Sequence, residues 1–221
     1  MGFFIDAMQK GGPFMWPILG CAIFGAAISA ERIYYIFFRA DINGTAFFAQ
    51  IQKLIMANNI DRAIKLCTAE PNRALARVLK AGLSRANRTE PEIQAAVDES
   101  VLEVYPTLSK RMPYLSMIAN VATLTGLLGT IQGLIAAFEA VAHASAETKQ
   151  TLLASGISVA MFTTLAGLVV AIPVLVVSSI IQGRITKIQD DVDQYGTKTV
   201  NLLTARRRGT LDKEGGAEAS A

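Results

Sequence analysis

The stretch Gly126-Leu-Leu-Gly-Thr-Ile-Gln-Gly133 decides how this chain folds. It carries no charge, three glycines and a central threonine, and it lies inside one of the most apolar parts of the sequence. Glycine is a weak helix former and hydrocarbon solvates a hydroxyl poorly. Both become useful where two membrane-spanning helices meet. Lipid gives no hydrophobic drive between spans, so they associate through close backbone approach and occasional hydrogen bonds.

Outward from this stretch, the apolar run covers residues 113–142, longer than the ~20 residues that cross a bilayer. A second long run covers 152–182. A third, residues 14–38, has the core FMWPILGCAIFGAAISA, broken by Glu31-Arg32 and followed by IYYIFF. Trp16 and Tyr34-Tyr35 suit its two interfaces. A signal peptide would also use small residues such as Ala26 to Ala30. The weakly basic start and the aromatic run beyond that point favour an uncleaved span. The totals agree: 52% of the 221 residues are hydrophobic, the mean hydropathy is +0.37, and a net charge of +3 gives no case for nucleic acid.

Orientation follows from lysine and arginine. Basic residues from Arg39 to Arg111 crowd the segment between the first two spans, and Arg184, Lys187, Lys198, Arg206, Arg207, Arg208 and Lys213 follow the third. The other side has only Lys10 and Lys149. The sequence therefore predicts an all-α, polytopic membrane protein with three transmembrane helices. Residues 1–13 form a periplasmic amino terminus and 14–38 transmembrane helix 1. Residues 39–112 form a cytoplasmic helical domain, 113–142 helix 2, 143–151 a periplasmic loop and 152–182 helix 3. A cytoplasmic helix over 183–208 prolongs helix 3, and helix 2 likewise extends inward. The polar tail 209–221 has the composition of a disordered segment.

The 39–112 segment reads as helices. TAFFAQIQKLIMAN has a helical apolar period, NNIDRAIKLCTAE is a second helix, and PNRALARVLKAGLSRA a third with proline early in it. Thr89 and Glu92 have the spacing of a capping box. Pro106 and Pro113 predict bends in the run that follows.

Gly126, Gly129, Gly133, Gly156, Ala160, Gly167 and Pro173 are expected at helix contacts. Thr123, Thr125, Thr130, Thr163 and Thr164 are the threonines within spans 2 and 3. Each can return its proton to a carbonyl of its own helix, but hydroxyls on two packed spans also make a polar seam. No Asp, Glu, Lys, Arg or His occurs in 113–138 or 152–182. A threonine hydroxyl does not titrate at physiological pH, so any proton carrier must come from another chain. Glu139 falls toward the outer interface. His143 reads as solvated, Cys21 and Cys67 lie in segments of opposite polarity that argue against a disulfide, and no metal-ligand spacing exists.

IANVATLTGLLGTIQGLIAAF and GISVAMFTTLAGLVVAIPVLV together resemble the ExbB/TolQ/MotA family, most closely its ExbB/TolQ branch. ERIYYI and NNIDRAIKLCTAEPNRALARVLKAGL fit the same pattern. The resemblance implies an inner-membrane stator in which five copies surround two copies of an ExbD/TolR/MotB-like one-span partner that carries a membrane aspartate. Ion flow, proton or sodium, then drives movement that reaches a TonB/TolA-like or motility component. It implies no cofactor, and it marks Thr130 and Thr164 as pore-facing threonines, with Pro173 as the third-span proline. Thr123 and Thr163 are further candidates for polar lining. Two positions depart from the pattern: Val159 replaces a frequent glutamate, and Thr123 a frequent proline. The first leaves the partner's aspartate as the only deep carboxylate. A non-conducting membrane scaffold is the alternative. A three-span chain lacks the repeats of a solute transporter, and no nucleophile–base pair or phosphate loop points to an enzyme.

Overall fold

The computed structural model describes residues 12–218. Regular structure among them is entirely helical: α1 (Met15–Tyr34), a π-helical segment (Tyr35–Ala40), α2 (Gly44–Met56), α3 (Ile60–Ala69), α4 (Ala74–Ser84), α5 (Glu90–Ser109), α6 (Met112–Ala142) and α7 (Ala146–Glu218). Three stretches are long and apolar enough to cross a membrane: Met15–Met56, Glu90–Ala142 and Ala146–Arg208. Only 22% of each apolar window is buried within the chain. Most of that surface is therefore left for lipid or for other chains. The helix α7 begins at Ala146, ahead of the apolar stretch, because Ser145 accepts from the N–H groups of Thr148 and Lys149 and so starts the turn. It runs past Arg208, where the polar tail begins in the sequence.

The chain divides into two compact units, one of residues up to Arg32 with Arg111–Ile181, the other of Ile33–Lys110 with residues from Gln182. In the first unit, α1 buries Met15, Ile18, Gly25, Ser29 and Arg32, a helical face. Met15 and Ile18 pack with Ala166 and Val170 of α7. A methyl group added at Gly25 would meet Val174 Cγ2 at 3.0 Å and Ile118 Cγ2 at 3.4 Å, so α1 lies close against α6 and α7. Arg32 is 4% exposed and lies 3.6 Å from Glu31, which also pairs with Arg111.

The second unit packs α2 on α3, α3 on α4 and α4 on α5. Ile51, Ile55, Leu75, Leu79, Leu83, Ile93 and Leu108 are buried with Ile185, Val192 and Leu203 of α7. Tyr195 of α7 stacks on Phe48 of α2 with ring centroids 4.8 Å apart, and its hydroxyl meets Thr45 Oγ1 at 3.0 Å. Tyr105 of α5 donates to the Gln189 carbonyl at 3.2 Å. The capping box forms as the spacing predicts: Glu92 accepts from Thr89 N at 2.9 Å and from Thr89 Oγ1 at 2.7 Å.

Two local details differ from the sequence reading. Pro71 lies in a turn, and α4 starts only at Ala74. The turn closes through Arg73 N to Glu70 O at 3.2 Å, while the Arg73 side chain binds the Asp41 carbonyl and Glu70. Arg73 is thus held extended, with ψ 126, and the helix cannot reach back to Pro71. Pro113 does not bend a continuous helix. A proline there has no N–H for the Ser109 carbonyl and its ring crowds that carbonyl. The run accordingly breaks at Lys110–Arg111, and Pro113 falls in the first turn of α6, where its missing donor costs nothing. Arg111, at φ 67, takes the left-handed conformation.

Candidate functional site

The contact between α6 and α7 is built from residues with almost no side chain. Successive contacts pair Ala122 with Gly167, Gly126 with Thr164 and Gly167, Gly129 with Thr163, Gly133 with Ala160, and Ala137 with Gly156. One number rises as the other falls, so the two helices run antiparallel along most of their apolar length. A Cβ at Gly167 would lie 2.7 Å from the Ala122 carbonyl oxygen, and one at Gly156 would lie 2.3 Å from Ala137 Cβ. The backbones touch. All the glycines and Ala160 singled out in the sequence lie in this contact.

The two adjacent threonines of α7 have different places. Thr163 is 1% exposed and gives its proton to the Ala160 carbonyl at 2.8 Å. Its Cβ and Oγ1 each lie 2.7 Å from where a Gly129 methyl would be. It fills the hollow that Gly129 leaves. Thr164, one residue and about 100° further round the helix, is half-buried and donates across the contact to the Gly126 carbonyl at 3.2 Å. That bond ties the two spans together.

On α6, Thr130 is half-buried and Thr123 exposed. Thr130 donates to the Leu127 carbonyl at 2.6 Å, Thr123 to Ala119 at 3.0 Å and Thr125 to Val121 at 2.7 Å. Each proton is used within the helix, while the oxygen keeps lone pairs for a cation or water. Pro173 is exposed within α7, and by the missing proline N–H it releases the Val169 carbonyl from the helix ladder. Val159 is half-buried. Glu139 is exposed near the end of α6.

The structure thus joins Thr164, Gly126 and, through the helix ladder, Thr130. It sets Thr163 into the steric contact. Sequence reasoning passed over Asn120 and Gln132, two exposed amides within the apolar stretch of α6. Their signal is simple: in a span without ionisable groups, an amide is the most polar side chain present. No group of three or more metal-ligating side chains occurs among the described residues.

Against known families, residues 70–194 match the model of the MotA/TolQ/ExbB proton channel family. The chain is 27% identical over 166 residues to the biopolymer transport protein exbB1 of Vibrio cholerae, covering 75% of this chain and 73% of that one. It is 29% identical over 128 residues to the Tol-Pal system protein TolQ of Haemophilus influenzae, covering 54% and 56%. An ExbB homolog of Methanothermobacter thermautotrophicus is 23% identical over 193 residues, covering 87% and 67%.

Proposed function

The chain belongs to the MotA/TolQ/ExbB proton channel family, and from that premise we propose that it is the multi-copy subunit of an ion-driven stator in a bacterial inner membrane. In this reading five copies enclose a one-span partner with a membrane aspartate. Proton or sodium flow past that aspartate drives the partner to do work in the envelope, in transport or in motility. The amino terminus lies in the periplasm and the basic second unit in the cytoplasm, as the positive-inside rule favours. ExbB and TolQ relatives support an envelope role.

One observation carries the reading. The tight α6–α7 contact holds the Thr164 hydroxyl and α6 carries that of Thr130, but no ionisable group occurs anywhere in residues 113–138 or 152–182. Hydroxyls can solvate a passing ion; they cannot take it up and release it as a carboxylate does. The titrating group therefore comes from a second protein. Each charge crossing a membrane at 100 mV yields ~2.3 kcal/mol, so a few charges per step suffice for mechanical work.

A second reading, a non-conducting scaffold, draws on the same hydrogen bonds. Thr123, Thr125 and Thr130 all satisfy their protons on their own helix, as purely structural threonines would. The experiment is to isolate the complex from membranes, identify its subunits and measure ion flux in proteoliposomes. The stator reading expects a co-purifying one-span protein with a membrane aspartate, and flux abolished by Thr130→Val. A homogeneous assembly without such a subunit, or flux-free function, favours the scaffold.

A further inference from the structure

We propose that Ser116, Asn120 and Thr123 line the half of the ion route that leads from the Arg111 end of α6 to Thr130. The assignment rests on the ion-channel reading above and adds to it the side chains that keep one half of the path wet.

The spacing puts these residues in one file. Steps of four, three and seven residues separate 116, 120, 123 and 130, and such steps keep to one face of an α-helix. Ser116, Asn120 and Thr123 are exposed in the chain and Thr130 is half-buried. The face adjoins the Gly126–Gly129 contact without being covered by it. Gln132, two residues past Thr130, lies on the far side of the helix.

The chemistry then constrains what that face meets. Among the described residues, neither the Ser116 hydroxyl nor the Asn120 amide has a side-chain hydrogen-bond partner. An unpartnered amide in hydrocarbon is costly, and polar groups at membrane depth are tolerated where they are buried in protein or line a watery cavity. Asn120 offers two donors and an acceptor, and Ser116 a donor and an acceptor. Thr123 spends its proton on Ala119 but keeps its acceptor. Donors and acceptors one turn apart are what a file of water molecules needs. None of these groups titrates at physiological pH, so they hold water or a hydrated ion and pass it to a carrier.

The file has one interruption. Between Thr123 and Thr130 the face holds only Leu127, 52% exposed, across a rise of about 10 Å. That apolar step stops a continuous water wire from leaking ions, and it marks the level at which the partner's carboxylate must do the carrying.

The test uses the assembled complex in inverted membrane vesicles, with Cys21 and Cys67 replaced by alanine. Ser116→Cys, Asn120→Cys and Thr123→Cys are treated from outside the vesicle with a membrane-impermeant thiosulfonate. Val121→Cys, at the same depth on another face, is the comparison. All three positions are expected to react while Val121→Cys does not. In flux assays, Asn120→Leu is expected to lose conduction and Asn120→Ser to retain it, a rescue that packing alone would not give. Labelling is read only on variants that elute as the intact complex, and Ser116→Ala is the second flux variant if Asn120→Leu does not assemble. No labelling of the three positions, labelling equal to that of Val121→Cys, or normal flux in Asn120→Leu (in Ser116→Ala, if that variant is used) overturns the assignment. Thr130→Val judges the parent reading separately. Lost flux there with normal flux in Asn120→Leu removes only the inner half-path, whereas normal flux in Thr130→Val removes the ion-channel reading itself.

Discussion

Thr164 Oγ1 donates to the carbonyl oxygen of Gly126 at 3.2 Å, the same carbonyl that the α-helical ladder pairs with the N–H of Thr130. One acceptor thus links the hydroxyl of one span to the backbone of the residue that carries the hydroxyl on the other. The absent side chain at Gly126 lets the bond form, since a Cβ there would stand 3.0 Å from the Thr163 carbonyl oxygen and 3.3 Å from Thr164 Cα.

Thr164→Val keeps the shape of the side chain and removes this bond. Hydrogen bonds between membrane helices contribute about 0.6 kcal/mol on average, so the variant is expected to assemble with a melting temperature close to that of the wild type. Its ion flux should fall to background, while Thr164→Ser keeps a substantial part. Normal flux in Thr164→Val would show that the hydroxyl serves packing alone.

The helix contact itself is tested at its glycines. Gly129→Ala drives a methyl against Thr163, and Gly167→Ala drives one against the Ala122 carbonyl, each within 2.7 Å. Both are expected to lower thermal stability in detergent and reduce assembled complex. Gly183 has nothing within 4 Å of an added Cβ, so Gly183→Ala should be neutral or stabilise by up to about 1 kcal/mol through helix propensity. Equal behaviour of the three variants would contradict the backbone contact.

Burial pushes the Cys67 thiol up to about 12, with Lys80 acting weakly in the opposite sense. The nucleophile is the thiolate, so Cys67 should resist maleimide at about pH 8, where even a free thiol is only partly ionised. Mass spectrometry should find it unmodified in the folded protein and modified after denaturation. Fast native labelling would mean that the packing of α3 against α4 opens.

Asp191 lies beside the start of α2, its carboxylate 3.2 Å from a Cβ position at Gly44. Desolvation holds this carboxyl above its ordinary range, opposed by Lys187 and reinforced by Asp41 and Asp190. The folded chain therefore binds a proton more readily than the unfolded chain. Ionised Asp191 costs stability at neutral pH, and that cost is relieved as pH falls through the raised value toward the unfolded value of about 3.9. Asp191→Asn is expected to raise the melting temperature near pH 7, with the difference shrinking by about pH 4. The first N–H groups of α2 favour the anion, which keeps the effect small. A difference that grows on acidification would reverse the assignment.

The contrast between Thr163 and Thr164 shows where sequence reading ended. Both sit in the same apolar run with the same chemistry; the resemblance sets Thr164 apart by its place before AGLVVAIP, but the local sequence does not say which of the two meets α6. Their roles part because one is rotated about 100° from the other, and only the packed α7 fixes which direction meets α6. Pro71 gives a second case. Its type suits a helix start, but the Arg73 side chain binds the Asp41 carbonyl, 32 residues away, and the helix starts only beyond it. A contact of that range has no local signature.

What the sequence by itself determined is the solvent and the secondary structure: long apolar runs must hydrogen-bond their own backbone in lipid, so they are helices, and a span without carboxylates cannot carry protons alone. The Thr89–Glu92 box was legible for the same reason, since its partners are three residues apart. The tertiary structure decided which glycines touch which residues, and it separated the threonine that fills a hollow from the one that bridges two spans. Those outcomes depend on the rotation and closeness of helices distant in sequence, and composition and periodicity carry neither.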